Sequence, residues 1–193
     1  MMRTVICISV VSVMLVCAMA GEKIDRGPHE QQREIPSIAE VVALFRDSIA
    51  LMDIDNDSIL DCLTARRIQY DPDVWSATYL WNVAASNGER LHFPVYLTAA
   101  DTPDNFNIST SIKPGQFFIG HTYYFDGESC VVISMPHLGN QCTLWVTKER
   151  KDSIPDECME QFEKNCGNGN NLHDRDTCKD VDTTAFPDST DNA

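Results

Sequence analysis

The chain is poor in long apolar segments and in positive charge. After residue 20, no apolar run approaches the roughly 20 residues that span a bilayer, so no membrane insertion is predicted. Lys and Arg number 15 against 29 Asp and Glu, and the formal net charge is −14. A surface this acidic repels phosphate backbones, which argues against nucleic acid as a partner.

Motifs of catalysis and metal binding are also absent. The sequence has no Gly-x-Ser-x-Gly, no phosphate loop, no Cys-x-x-Cys pair, and neither His-x-His nor His-Glu-x-x-His. Residues 53–61 hold acids at calcium-loop spacing, but Ser58 stands where the sharp turn needs Gly and Thr64 where a bidentate Glu belongs. We therefore predict a binding protein and not an enzyme, with no catalytic residue, cofactor or metal.

The N-terminus has the pattern of a secretory signal peptide. Arg3 gives it a basic start, residues 5–19 are almost wholly apolar, and Ala18-Met19-Ala20 is a small-x-small cleavage site. Residues 1–20 are therefore predicted to be removed, which leaves a secreted, extracellular chain.

Cysteine usage agrees with export. Of eight cysteines, Cys7 and Cys17 fall in the predicted signal. An even number remains in an oxidising compartment, which predicts three disulfides, although the sequence alone does not choose among the many pairings. The remaining cysteines are Cys62, Cys130, Cys142, Cys158, Cys166 and Cys178.

Hydrophobic periodicity divides the rest of the chain. Residues 21–36 are a polar, flexible leader, and the acidic tail at 181–193 is predicted to be disordered. Apolar residues recur at helical spacing over 37–52, behind a capping box formed by Ser37 and Glu40.

After this helix the period falls to two. Turn signals such as Asn87-Gly88 separate short alternating segments, which is typical of a sandwich or barrel. A second helix is then predicted, with Pro155 in its first turn and Cys158, Phe162 and Cys166 on one face. The predicted strands are 62–70, 75–84, 90–98, 106–112, 116–125, 130–135 and 142–147.

The most distinctive stretch runs from Cys130 to Cys158. It reads Cys-Val-Val-Ile-Ser-Met-Pro, then Cys-Thr-Leu-Trp-Val-Thr, then Ile-Pro-Asp-Glu-Cys-Met-Glu-Gln-Phe. Together with the order of elements over 37–178, it resembles the salivary lipocalins of ticks, a histamine-binding-protein-like family. The resemblance implies a mostly β fold: an eight-stranded antiparallel lipocalin-type barrel with an N-terminal and a C-terminal helix, in one domain over 37–180. It also implies the disulfides Cys62–Cys178, Cys130–Cys158 and Cys142–Cys166.

The resemblance further implies a ligand inside the barrel. Some members resemble traps for histamine and serotonin, and one subgroup, the japanins, carries a sterol and acts on dendritic cells. An amine trap needs buried carboxylates. Here Val131 and Thr143 stand where the amine-binding pattern has acids, and only Asp53 or Asp55 matches an acid ahead of the first strand. We expect an apolar cup lined by Tyr79, Trp81, Phe93, Val95, Phe117, Ile119, Tyr123 and Trp145.

Three functions remain open at this point. The leading hypothesis is a secreted, monomeric lipocalin that modulates host immune or inflammatory responses, such as those of dendritic cells, and holds cholesterol or another lipid. The alternatives are a scavenger of biogenic amines and an inhibitor that binds a host protein, such as an immune-cell receptor, without a small ligand. Two sequons, at Asn56 and Asn107, predict N-glycosylation.

Overall fold

The computed structural model describes residues 35–54, 60–84, 89–136, 139, 141–174 and 178. The predicted signal peptide, the leader up to residue 34, the acidic tail and the sequon at Asn56 lie outside the described residues. None of the helices in the described segments is long and apolar enough to cross a membrane.

Eight antiparallel strands form a closed barrel. Each strand pairs with the next along the chain, and the first strand also pairs with the eighth, which closes the ring. The strands are β1 (Asp47–Asp53), β2 (Thr64–Asp71), β3 (Ser76–Ala84), β4 (Arg90–Ala99), β5 (Asn105–Thr110), β6 (Phe118–Phe125), β7 (Cys130–Met135) and β8 (Gln141–Thr147).

Two helices flank the barrel. Helix α1 (Ile38–Leu44) precedes β1, and α2 (Asp156–Cys166) follows β8 after a 3₁₀ turn at Lys148–Arg150. A two-residue strand, β9 (Asn170–Asn171), pairs with the end of β1. The mostly β, eight-stranded barrel with an N-terminal and a C-terminal helix is thereby confirmed.

The first helix was predicted over 37–52, and the second half of that prediction is wrong. The helix ends at Leu44, and the second half of the segment 37–52 is strand β1. Ile49 and Leu51 face α2 while Ala50 faces the barrel interior, so both faces of β1 are buried. A strand buried on both faces is a continuous apolar run, which periodicity alone does not distinguish from a helix.

Apolar residues form two layers, one on each side of the barrel wall. The inner layer fills the barrel and includes Val131 and Ile133, whereas Val132 belongs to the outer layer beneath Phe162 of α2. Strand β7 therefore reads Cys-Val-Val-Ile without alternation, because α2 covers its outer face.

Three disulfides tie the periphery to this wall. Cys130–Cys158 and Cys142–Cys166 join α2 to β7 and β8, and Cys62–Cys178 joins the start of β2 to the chain beyond β9. These are the pairs that the resemblance implies. Cys62 and Cys178 are 116 residues apart, and a bond closing so long a loop restricts the unfolded chain strongly, by on the order of 4 kcal/mol.

One close approach inside the barrel requires a glycine. Gly120 on β6 lies directly opposite Phe106 on β5. A Cβ atom at residue 120 would overlap the ring of Phe106, which is almost fully buried. The aromatic ring therefore occupies the space that any side chain at residue 120 would need.

We expect Gly120→Ala to destabilise the protein by about 1–3 kcal/mol, because the added methyl overpacks a full core. In a Phe106→Leu background the same substitution should cost less than about 1 kcal/mol, since the shorter side chain leaves room and coupled neighbours are not additive. Urea unfolding of the four proteins in this cycle measures the coupling. Additive effects would contradict the proposed overlap.

The turn between β6 and β7 is organised by one carboxylate. Oδ1 of Asp126 accepts the N–H groups of Glu128, Ser129 and Cys130 at 2.7–2.9 Å, and Oδ2 accepts the hydroxyl of Ser129. Burial raises the pKa of Asp126, but the main-chain N–H groups of Cys130, Glu128 and Ser129 together lower it further, so the net pKa lies below its usual value.

A carboxyl with a lowered pKa stabilises the fold above the unfolded pKa of about 3.9 and loses that contribution as pH falls through the lower folded value. We therefore expect Asp126→Asn to cost about 1 kcal/mol near pH 7. The difference from the parent protein should shrink as the pH falls below about 4, toward the lower pKa of the folded state.

Urea unfolding at several pH values measures this difference. Glu128→Gln is the matched control, since that carboxylate is exposed and lies 3.4 Å from Arg150 at the surface. A stability difference for Asp126→Asn that does not change with pH would contradict the cause given for the lowered pKa.

Candidate functional site

The barrel encloses a cavity between its inner wall and α1. The empty space between these walls, counted out to the mouth and including the solvent there, is about 500 Å³. Inward residues come from alternate positions of the strands, and α1 contributes its apolar face. The lining is Ile38, Val41, Val42, Phe45, Ser48, Ala65, Tyr79, Trp81, Val95, Leu97, Phe106, Ile108, Val131, Ile133, Met135 and Trp145.

Hydrogen bonds hold α1 against the barrel. The N–H of Ile38 donates to the carbonyl of Pro103, and Nη1 of Arg67 donates to the carbonyl of Val42. The carbonyl of Phe45, which follows the helix, accepts the hydroxyl of Tyr79 at 2.7 Å. These hydrogen bonds fix the position of α1, which forms one wall of the cavity.

Tyr79 stays a neutral hydrogen-bond donor. Burial raises the pKa of its hydroxyl far above the usual value, and the opposing charge of Arg67 offsets only part of this. Since its hydroxyl is already bonded to Phe45, the ring presents an apolar surface to the cavity.

Aromatic rings form one side of the site. The ring centroids of Trp81 and Trp145 are 5.7 Å apart, and Phe93 lies 6.0 Å from Trp81. Nε1 of Trp145 donates to Oγ1 of Thr143 at 2.8 Å, and both residues are buried. The indole of Trp145 therefore has its polar atom satisfied within the wall.

Among the described residues, the buried acidic side chain is that of Asp53, at the end of β1. It is 1% exposed, and its Oδ1 accepts the N–H groups of Ile54 at 2.7 Å and Cys142 at 3.2 Å. Asp53 is not among the lining residues. Asp55, the other acid considered for an amine, lies outside the described residues.

The structure brings together only part of the predicted cup. Tyr79, Trp81, Val95 and Trp145 line the cavity. Phe93 is buried beside Trp81 in the inner layer but is not a lining residue.

The prediction was wrong for the other three cup residues. Phe117 is 73% exposed, Ile119 62% and Tyr123 37%, all pointing away from the interior. In β6 the inward positions are Phe118, Gly120 and Thr122, so the prediction chose the wrong parity, which reverses a whole face.

Sequence reasoning also missed lining residues. Those from α1 were assigned to the core of a longer helix, and Phe106 and Ile108 of β5 were not assigned to the cup. Apolar and polar residues alternate from Phe106 to Ser109, and this pattern predicts that Phe106 and Ile108 face the interior. The structure agrees, since both are buried whereas Asn107 and Ser109 are not.

A metal site finds no support in the described segments. The cluster with suitable spacing consists of Asp126, Cys130 and Cys158. Cys130 and Cys158 are bonded to each other, so neither offers a thiolate.

A closed eight-stranded antiparallel barrel with an internal cavity and flanking helices defines a ligand-binding protein of the lipocalin type. Residues 60–180 match the family described as tick histamine-binding protein, and the chain belongs to this family. The family is of a ligand-binding type and not an enzymatic one, and the three disulfides of this chain fit a secreted protein.

Solved structures share the fold at low identity. AM182, in a serotonin complex, has a TM-score of 0.59 at 14% identity, covering 76% of this chain and 94% of its own. Japanin from Rhipicephalus appendiculatus, bound to cholesterol, has a TM-score of 0.50 at 14% identity, covering 68% and 94%. Lobster apocrustacyanin A1 reaches 0.50 at 11% identity, covering 67% and 76%. Comparison with curated proteins gives no significant match in sequence.

Proposed function

We propose that this protein is a secreted carrier that holds a small, uncharged hydrophobic molecule, a sterol or another lipid, in the barrel and thereby modulates host immune or inflammatory responses. The observation that carries the proposal is the chemistry of the wall. None of the sixteen lining residues is charged, and the polar groups of Tyr79 and Trp145 are bonded within the protein.

An apolar ligand gains free energy from such a wall. Each Å² of apolar surface removed from water contributes roughly 25 cal/mol, before the cost of immobilising the ligand. An ammonium group would lose its hydration without a carboxylate among the lining residues, which costs several kcal/mol. The fold accommodates either class, since AM182 was solved with serotonin and japanin with cholesterol. The composition of the wall therefore favours the lipid.

Filling the cavity should block binding. Val95→Phe and Val131→Phe each add a ring at a lining position, and we expect either to weaken binding of a fluorescent sterol or fatty acid about tenfold or more, a loss of at least 1.4 kcal/mol. Ile119→Phe, on the outer face of β6, is the matched control and should bind as the parent does.

Thermal unfolding of each variant separates lost binding from lost folding. Mass spectrometry of an organic extract should find lipid in the parent protein purified from serum-containing medium, and less of it in the two filled variants. Equal binding by filled variants that remain folded would overturn the proposal.

The scavenging of biogenic amines remains a second candidate because of Asp53, a buried acid in the barrel wall. We expect calorimetry with histamine and serotonin to show no binding heat, since Asp53 is not among the lining residues and its Oδ1 already accepts two main-chain N–H groups. Micromolar binding that is lost in Asp53→Asn but kept in Val95→Phe would favour the amine instead.

The immune role has its own test. Cultured dendritic cells would receive lipid-loaded protein, delipidated protein or the Val95→Phe variant, with activation markers as the readout. A response to the loaded form alone supports modulation through the ligand. Equal responses to all three would favour the alternative in which the protein surface binds a receptor and the cavity is only core.

A further inference from the structure

The sequon at Asn107 lies in strand β5, where alternation separates its residues. Ile108 is buried inside the barrel, whereas Asn107 and Ser109 are half-buried and belong to the outer face. The amide of Asn107 and the hydroxyl of Ser109, the two groups that N-glycosylation needs, therefore share one surface. The sequence predicted a strand over 106–112, and the sequon lies in that strand.

Exposed apolar residues lie beside this sequon, together with the polar Thr98 that pairs with Asn107 on β4. Asn107 pairs with Ile119 on β6, and Ser109 pairs with Tyr96 on β4. Tyr96 is 43% exposed, Ile119 is 62% exposed, and Phe117, which precedes β6, is 73% exposed. Side chains directly opposite on paired strands lie about 5 Å apart, and diagonal ones about 7–8 Å. We name Tyr96, Phe117 and Ile119 the outer apolar patch.

The side chain of Asn107 is held in place without using its full donor capacity. Its Nδ2 donates to the carbonyl of Ala99 at 2.6 Å. An amide nitrogen carries two hydrogens, and attachment to a sugar replaces one of them. A glycosylated Asn107 therefore still has one hydrogen on Nδ2 as a donor.

We propose that Asn107 carries an N-linked glycan and that this glycan covers the outer apolar patch. In the reaction, Nδ2 of Asn107 bonds to the anomeric carbon of an oligosaccharide linked to a polyprenyl pyrophosphate. The bond between that carbon and the pyrophosphate oxygen breaks, the lipid pyrophosphate leaves, and the amide nitrogen gives up one proton.

The position of Asn107 favours a glycan over a protein partner as the covering group. Grouped apolar side chains on a surface mark a place that another group covers. A glycan rooted directly beside Ile119 is bulky enough to keep a protein from docking there, while its sugars remain solvated. Sugar rings also present C–H faces that pack on aromatic rings such as those of Tyr96 and Phe117.

Site occupancy is tested on the full chain secreted from insect cells. The Asn56→Gln variant removes the other sequon, so that any remaining glycan belongs to Asn107. We expect mass spectrometry of proteolytic fragments to show the glycan on Asn107, and peptide N-glycosidase to convert this residue to Asp. An unmodified Asn107 would overturn the proposal.

Covering of the patch is tested by removing the glycan in two ways, with Asn107→Gln and with Ser109→Ala. Both proteins should be retained longer on a hydrophobic-interaction column and should self-associate in sedimentation velocity. Ser109→Thr keeps the sequon and is the matched control, which should behave as the parent does.

Adding Ile119→Ser to Asn107→Gln should restore early elution, since it removes an apolar member of the patch. Unchanged retention and sedimentation after loss of the glycan would overturn the covering role, even if Asn107 is glycosylated. Capture of a host protein on the patch while the glycan is present would overturn it as well.

Discussion

The fold depends on the position of β1 between β2 and β8. Without this strand, seven strands would leave two open edges and an interior exposed to water. Pairing on both sides completes the ring. Ala50 and Ser48 then face the interior, while Ile49 and Leu51 pack against α2 on the outer face. Because both faces of β1 are buried, one strand joins the inner apolar layer to the outer one.

The cavity follows from this closure and from α1. The closed ring surrounds the space, and α1 supplies Ile38, Val41 and Val42 to one side of it, with Phe45 directly after the helix. Two polar groups of the lining, the hydroxyl of Tyr79 and Nε1 of Trp145, are bonded to the protein itself. The specificity of such a site rests on shape and apolar contact, since the lining offers no charge for a ligand to pair with.

Much of the fold could be predicted from the sequence, because most strands alternate and are separated by turn residues. The exception was β1, whose run Ile49-Ala50-Leu51 is apolar on both faces and therefore lacks a strand period. Of the eight residues predicted for the cup, four were right, and they are four of the sixteen that line the cavity. Tyr79, Trp81, Val95 and Trp145 line the cavity, but the parity of β6 was misjudged.

The error in β6 has a physical cause. Phe117, just before the strand, and Tyr123 within it were predicted to line the cup because they are aromatic. The inward position is instead Gly120, whose space is filled by Phe106 across the strand pair. A glycine that faces a ring carries no hydrophobic signal of its own. Only knowledge of the pairing register, which the sequence does not contain, shows that the ring belongs to the neighbouring strand.

The short strand β9 has a consequence for the redox behaviour of the molecule. β1 pairs with β2 over only three residues, Asp47 to Ile49, and further along β9 covers Met52 and Asp53. The chain there is held by the bond from the N–H of Cys62 to the carbonyl of Leu172 and by the disulfide to Cys178. In a reducing environment this seam, the shortest strand pairing of the ring, loses its covalent tie. Its release would bare a strand edge, the feature through which β proteins recruit further chains into aggregates.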